Sequence, residues 1–145
     1  MTTPLLLQDL KRDEGCRLEA YQDTVGVWTV GFGHAGPDVK PGLTWTQAQA
    51  DAQLQADIDH TVALLAAVFT WWQSLDSVRQ DAVANMAFNL GVHGVQGFRN
   101  FCADMAAKNY DRASADMLLS KWATQVGDRA QRLAQMIKRG SRITS

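Results

Sequence analysis

The acid–base chemistry that this sequence could carry begins with Glu14, near the front of the chain. Glu14 follows Leu7 and Leu10 at the spacing of one helix face, and Gly15 is a natural end for that helix. A carboxylate at the end of an apolar face is unfavourable unless it is paired or used. Glu14 is therefore either a functional acid or a helix-end acid that reaches solvent.

A second carboxylate, Asp23, lies nine residues after Glu14. On one continuous helix, a residue turns by about 100°, so the two side chains would point apart. If the helix ends at Gly15 and strands begin at Arg17, the two carboxylates can face each other across a helix–hairpin junction. Glycoside hydrolysis commonly uses such a pair, one to protonate the leaving oxygen and one to assist water or to attack. Taken alone, Asp23 also suits a turn.

The segment after Asp23 alternates between bulky and small side chains, as a strand with two different faces does. The bulky set, suited to a core, is Trp28, Val30 and Phe32, and the small set is Val27, Thr29, Gly31 and Gly33. Small residues at 29 and 31 leave room for a bulky ligand such as a sugar chain, so both are assigned to a substrate cleft. The Thr29 hydroxyl can hold a water there. The glycines also fit a bulge or close packing.

The elements that position these residues are mostly helical, with one short β region, and predict an α+β, mainly α-helical protein. Helices are expected over 4–14, 46–65 (opened by a capping box at Thr46 and Gln49), up to Leu90, and over 98–108, 112–122 and 129–138, with strands within 17–34 and a Pro/Gly loop at 35–43. The helix that ends at Leu90 is apolar on most sides and is predicted to be the central buried one.

Length and charge set broad bounds. The 145 residues suit one domain, and a formal net charge of −1 indicates no particular charged partner and favours no nucleic acid. The charges are uneven, because the segment from Lys121 to Ser145 carries +5 and the first 120 residues carry −6. Such an end can attract a polyanion or an anionic membrane, or it can be a solvated helix face.

The two cysteines, Cys16 and Cys102, make no disulfide framework and are expected to be buried free thiols, although one bridge stays open. The three histidines show no ligand spacing, so no metal site is expected, and carboxylate hydrolysis requires no cofactor. No signal segment is visible, and no run approaches the roughly 20 apolar residues of a spanning helix. A chain made in the cytoplasm without stable membrane insertion is expected.

In order and spacing, these residues resemble the T4-type phage lysozymes, glycoside hydrolase family 24. The matching signature is Glu14-Gly15, Asp23-Thr24, Thr29 and Gly31-x-Gly33-His34. Two later blocks, residues 75–98 and 128–140, resemble the family's central helix with its Gly-rich turn and its Arg-rich closing helix. The resemblance covers nearly the whole chain.

The resemblance implies a role for each signature residue. Glu14 would be the general acid, and Asp23 and Thr29 would position the nucleophilic water, which gives hydrolysis with inversion. His34 would face Asp57 as a structural ion pair. The reaction would be cleavage of the β-1,4 bond between N-acetylmuramic acid and N-acetylglucosamine in bacterial peptidoglycan.

The resemblance also implies a two-lobe lysozyme fold within a single domain, residues 1–145. The predicted parts are a small β-hairpin lobe at about 15–45, a connecting helix at about 46–65, and a helical lobe at about 66–145 with the N-terminal helix 4–14. In the helical lobe, Phe88 and Asn89 would line the cleft. Arg129 would pair with Glu14, and Trp122 would pack near that arginine.

Two departures from the family qualify this picture. Only about twelve residues separate His34 from Thr46, so the small lobe is short and the far sugar subsites are in doubt. The net charge is also lower than the basic value of many members. The expected protein is a monomeric endolysin that reaches the wall of a host cell after a separate holin-type protein opens the membrane. The alternatives are a lytic transglycosylase and an inactive wall-binding or phage structural module.

Overall fold

A computed structural model describes residues 1–142 of the chain. The last three positions of the helical lobe predicted at about 66–145 lie outside the described residues. The elements are α1 Pro4–Glu14, β1 Arg17–Gln22, β2 Trp28–Gly31, β3 His34–Ala35, α2 Gln47–Val68, a 3₁₀ turn Trp72–Ser74, α3 Ser77–Leu90, α4 Val92–Gln96, α5 Arg99–Ala106, α6 Tyr110–Leu118, α7 Lys121–Val126 and α8 Asp128–Arg139. The predicted class, α+β and mainly helical, is confirmed.

The chain forms two compact units. One is Pro4–His60, and the other joins Met1–Thr3 to the chain from Thr61 onward. The division falls within α2, and it groups α1 with the strands. A physical reason is the short connection, because only Gly15 and Cys16 separate α1 from β1. The lobe boundaries that the resemblance implies stay a prediction.

The sheet of the first unit is antiparallel in the order β1-β2-β3. Tyr21 pairs with Thr29, which in turn pairs with Ala35, and a bulge lies in β1 between Arg17 and Tyr21. The other edge of β1 is covered by residues 43–45. There, Ala20 N–H donates to the Leu43 carbonyl and Trp45 N–H to the Leu18 carbonyl, each at 2.8 Å. The hairpin that carries the small side chains is therefore held on both sides.

The capping box predicted at the start of α2 is confirmed. The Thr46 N–H donates to Gln49 Oε1 at 2.8 Å, and the Gln49 N–H donates to Thr46 Oγ1 at 3.1 Å. These two reciprocal bonds satisfy N–H groups that lack partners within the helix. The helix continues to Val68, three residues further than the pattern indicated.

Helix α3 is the buried helix of the second unit, as predicted, and every residue from Gln80 to Ala87 is buried. It ends at Gly91, whose N–H donates to the Ala87 carbonyl at 2.7 Å. Its apolar surface is interrupted by Asp81, Asn85 and Asn89, which follow each other at four-residue spacing and so share one side of the helix. This polar stripe was not predicted.

The helix predicted over 112–122 is wrong in extent, because it divides into α6 and α7. Ser120 interrupts it with an extended backbone, ψ 155°, and its hydroxyl accepts the Ala123 N–H at 3.1 Å. Serine favours such a capping position over a helix interior. The short helix α4 was also missed.

Candidate active site

Glu14 is the last residue of α1, and its carboxylate reaches the turn between β2 and β3. Gly15 follows in the left-handed region at φ +66°, and its N–H donates to the Lys11 carbonyl at 3.2 Å. A Cβ placed on Gly33, which has φ +82°, would lie 3.4 Å from Glu14 Oε2. The helix therefore delivers its half-buried terminal carboxylate to a part of the hairpin that has no side chain.

Asp23 begins the turn between β1 and β2 and organises that turn with one carboxylate oxygen. Its Oδ1 accepts the N–H groups of Val25 and Val27, both at 2.9 Å, and its own N–H donates to the Val27 carbonyl at 2.9 Å. Within residues 1–142, Oδ2 makes no hydrogen bond. The turn role therefore uses one oxygen, fixes the orientation of the carboxylate and leaves the other oxygen able to accept a hydrogen bond from water.

Thr29 lies in the middle strand and is more enclosed than the alternation suggested. Only 5% of it is exposed, and its hydroxyl donates to the Val27 carbonyl at 3.0 Å. Because the hydroxyl proton is used in this bond, the lone pairs of Oγ1 remain to accept a hydrogen bond.

Gly31, also in β2, is buried against an aromatic ring. A Cβ on Gly31 would lie 2.9 Å from Cζ3 of Trp45, and its φ of +67° also disfavours other residues. The close-packing explanation therefore fits Gly31, and a place in the substrate cleft stays a prediction. Trp45 was not singled out from the sequence.

His34, at the start of β3, lies between two aspartates. Its Nδ1 is 3.1 Å from Asp57 Oδ2 on α2, so the contact inferred from the resemblance is present. Its Nε2 is 3.2 Å from Asp38 Oδ2. Sequence reasoning missed Asp38, although it stands only four residues after His34. Gln53 donates to the other oxygen of Asp57 at 2.8 Å, so the aspartate is held from its own helix as well.

In the second unit, Arg129 at the start of α8 is held by α3. It is only 8% exposed. Its Nε donates to Asn85 Oδ1 at 2.9 Å and its Nη2 to the Asn85 carbonyl at 3.4 Å. Sequence reasoning missed Asn85. The signal that could have found it is its place midway between Asp81 and Asn89, at four-residue spacing from each, on a mostly buried helix.

Asn89 holds Trp122 on α7, because the indole Nε1 donates to Asn89 Oδ1 at 2.7 Å. Trp122 is buried and meets Phe98 edge-on, with ring centroids 6.3 Å apart. Phe88, next to Asn89, is half-buried. The polar stripe of α3 therefore positions two of the residues that the resemblance singled out, Arg129 and Trp122.

The basic end of the chain is not simply a solvated face. Arg129 is buried, and Arg142 Nη2 lies 2.7 Å from Oδ2 of the buried Asp81. At least two of its cations are thus used inside the fold.

The prediction of buried thiols is wrong for Cys16, which is exposed because it follows the end of α1 at Gly15. Cys102 is half-buried, its thiol donates to the Val95 carbonyl at 3.3 Å, and burial raises its pKa to about 11. Both thiols are free. Across residues 1–142, no group of three or more His, Cys, Asp or Glu side chains is arranged to hold a metal ion.

Residues 11–142 match the family model described as phage lysozyme. The chain belongs to the phage lysozyme family. It is thus a glycoside hydrolase of the lysozyme type.

Relatives of this phage lysozyme include both short and long proteins. An endolysin of Acyrthosiphon pisum secondary endosymbiont phage 1 is 34% identical, over 90% of this chain and 86% of that protein. A probable T4-type lysozyme of Dictyostelium discoideum is 27% identical, over 91% and 92% of the two chains. The pre-baseplate central spike protein Gp5 of Enterobacteria phage T4 is 31% identical, but the match spans only 27% of its length.

Within Pro4–His60, the lysozyme brings Glu14 to Gly33 and His34 to Asp57. Within the second unit, it brings Arg129 to Asn85 and Trp122 to Asn89. The inferred pairing of Arg129 with Glu14 joins residues of different units and stays a prediction.

Proposed function

We propose that this lysozyme hydrolyses the β-1,4 bond between N-acetylmuramic acid and N-acetylglucosamine in peptidoglycan, with inversion at the anomeric carbon. Family membership and the similarity to proteins named endolysin support the substrate class. The observation that carries the mechanism is the Asp23 carboxylate, fixed through Oδ1 and free at Oδ2, in the same compact unit as Glu14 and Thr29.

In this mechanism Glu14 is the general acid. It transfers its proton to the glycosidic oxygen as the bond from that oxygen to the anomeric carbon breaks. The sugar has room to approach Oε2 for this transfer because Gly33 presents no side chain there. General acid catalysis of this kind typically contributes about 10²–10⁴-fold.

Asp23 and Thr29 position the water. Asp23 Oδ2 accepts one hydrogen of the water and takes its proton as the water oxygen bonds to the anomeric carbon from the opposite face of the sugar. Thr29 Oγ1 accepts the other hydrogen, since its own proton is already directed to the Val27 carbonyl. Attack by water on the face opposite to the leaving group inverts the configuration.

The remaining residues support these three. Arg129 is proposed to orient Glu14 with a forked guanidinium, for which Asn85 fixes the arginine. Phe88, Asn89 and Gly31 are proposed to lie along the cleft, and Trp122 to hold Asn89 in place. His34 and Asp57 tie the hairpin to α2.

The biological role proposed is host lysis by a monomer that acts on the cell wall after leaving the host cytoplasm through a membrane opened by a holin-type protein. Neither nucleic acid nor a cofactor takes part. Among residues 1–142, no helix combines the length and apolarity that crossing a bilayer requires.

Mass spectrometry of fragments from purified peptidoglycan tests the reaction. Wild type should release muramic acid with a reducing end, whereas an anhydro end would identify a lytic transglycosylase and overturn the water-positioning role of Asp23. Glu14→Gln keeps the size of the side chain but cannot donate the proton, so turnover should fall by at least about 10²-fold. Glu19→Gln, at the other glutamate of the chain, is the matched control and should keep its activity.

Thr29→Ala tests the water-holding hydroxyl, with the exposed Thr24→Ala as control. Turnover should fall while binding of peptidoglycan is retained. If Thr29→Ala instead unfolds, Thr29 is a packing residue and its role with water is lost.

A second role, local wall digestion as part of a phage particle, is favoured by the match to the T4 spike protein. That role uses the same chemistry, and detection of the chain in purified particles would distinguish it from lysis by a free enzyme.

A further inference from the structure

Asp81 on α3 is a carboxylate with no solvent exposure. Its Oδ1 accepts the Thr3 N–H at 2.8 Å, and its Oδ2 accepts the Thr3 hydroxyl at 2.5 Å. Arg142 Nη2 donates to the same Oδ2 at 2.7 Å. Aspartate is almost never fully buried unless it is paired, so these contacts are what allows the charge to remain inside.

The partners of Asp81 come from the first and the last segments that the structure describes. Thr3 precedes Asp81 by 78 residues and Arg142 follows it by 61. All three residues belong to one compact unit, in which Met1–Thr3 is grouped with the chain from Thr61 onward although α1 is not. The N-terminal segment therefore owes its place in this unit to contacts far away in sequence.

The path that brings Arg142 to Asp81 is itself fixed from α3. Arg79 donates to the Ile137 carbonyl at 2.6 Å and to the Lys138 carbonyl at 3.1 Å, at the end of α8. Gly140 then turns the chain at φ +66°, and a Cβ there would lie 2.7 Å from Arg79 Nη1. Arg79 and Asp81, two residues apart, thus hold the end of α8 and the arginine that follows it.

We propose that Asp81 is a clamp that couples the segment at residues 1–3 to Arg142, so that Thr3 stays bound to Asp81 only while Arg142 is in place. Arg142 supplies a positive charge to the buried carboxylate. Without it the buried carboxylate keeps its two Thr3 donors but lacks a positive charge, and water can replace that charge only if a covering residue moves. Thr3 is the other partner of Asp81, so its release would admit water. Release would free the start of α1, which begins at the next residue, Pro4. The proposal is independent of the catalytic function.

Native-state amide hydrogen exchange, followed by NMR on the full chain, tests the coupling. The readout is the Thr3 amide, which donates to Asp81, and the Val83 amide in the core of α3 reports global opening. Arg142→Ala should speed exchange at Thr3 by about tenfold or more, as expected for loss of a hydrogen bond to a charged group. Arg139→Ala removes a nearby arginine that does not contact Asp81 and should leave Thr3 unchanged.

Arg142→Lys keeps the charge without the guanidinium and should give a smaller acceleration at Thr3 with Val83 unaffected. This milder variant keeps the test valid if Arg142→Ala is too unstable to measure. Equal acceleration at Thr3 and Val83 in the Lys variant would mean that Arg142 acts only on global stability and would overturn the clamp. Unchanged exchange at Thr3, or the same change with Arg139→Ala, would overturn it too.

Discussion

The carboxylate of Glu14 rests against the backbone of Gly33, 3.4 Å from the place where a Cβ would be. Gly33→Ala would place a methyl group in van der Waals contact with the proposed acid, filling the space beside its carboxylate, and would force alanine to φ +82°, at a cost of about 1–2 kcal/mol. We expect Tm to fall and turnover of peptidoglycan to fall more than the stability loss explains.

Gly42→Ala is the control for that substitution. Gly42 has nearly the same φ, +85°, but a Cβ there meets nothing within 4 Å. It should lose similar stability and keep its activity under folding conditions. Equal specific activities of the two folded variants would show that the position of Glu14 does not depend on Gly33.

The contact of His34 with Asp57 can be isolated with a matched pair on α2. Asp57 accepts from Gln53 at 2.8 Å and Asp59 accepts from Gln55 at 2.9 Å, but only Asp57 also contacts His34. Asp57→Ala should reduce the free energy of unfolding by about 1 kcal/mol more than Asp59→Ala does. Equal losses in urea unfolding would show that the histidine contact adds nothing.

Arg129→Leu removes the bonds that the guanidinium donates to Asn85 and leaves buried polar groups without that partner. A hydrogen bond to a charged group contributes about 1.5–3 kcal/mol, so a loss of this size is expected. Arg139→Leu, at a more exposed arginine of the same helix, should change stability by less than about 0.5 kcal/mol. Thermal unfolding of both variants checks this, and identical Tm values would show that the bonds from Arg129 to Asn85 add nothing to stability.

Asp116 on α6 gives the protein a stability that depends on pH. It lines a cavity of about 290 Å³ together with Asp104 of α5 and Arg112. Its pKa is raised from 3.8 to about 6, chiefly by burial and further by the hydrogen bond and the charge of Asp104, while the charge of Arg112 opposes the rise. The folded state therefore holds this proton more tightly than the unfolded chain, and the stability that this provides is full below 3.8 and declines as pH rises through about 6.

Asp116→Asn should thus stabilise the protein at about pH 7 by about 1 kcal/mol, a value reduced for partial solvent screening, and should have little effect at about pH 3. Urea unfolding at the two pH values measures the difference. Asp104→Asn removes a main cause of the shift and should give part of the same gain. A gain of the same size at both pH values would show that the proton is not involved.

The sequence predicted those parts of the fold that depend on local signals. Gly15, Gly91 and the Thr46–Gln49 pair each end or begin a helix through bonds to near neighbours, and each was located within a residue. The division between α6 and α7 was missed because a serine inside an apolar pattern reads equally well as a surface residue of one long helix.

Long-range contacts were harder to predict, because no periodicity records them. Asn85 and Asp81 look like polar interruptions of an apolar helix until Arg129 and Thr3 are brought to them by the fold. Trp45 was missed for a similar reason. The lack of a side chain at Gly31 suggested an open space, but the ring of Trp45 fills that space. The order of Glu14, Asp23 and Thr29 was informative because it resembles the signature of a family, and membership of that family is confirmed.

Of the two thiols, only Cys16 is a convenient site for attaching a probe to the unmodified enzyme. Cys16 is exposed, whereas the pKa of Cys102 is raised to about 11, which leaves it almost wholly in the unreactive thiol form at neutral pH. A maleimide fluorophore should therefore label position 16 selectively, only two residues after Glu14. Wild-type protein could then report substrate arrival as a change in emission, with no engineered cysteine.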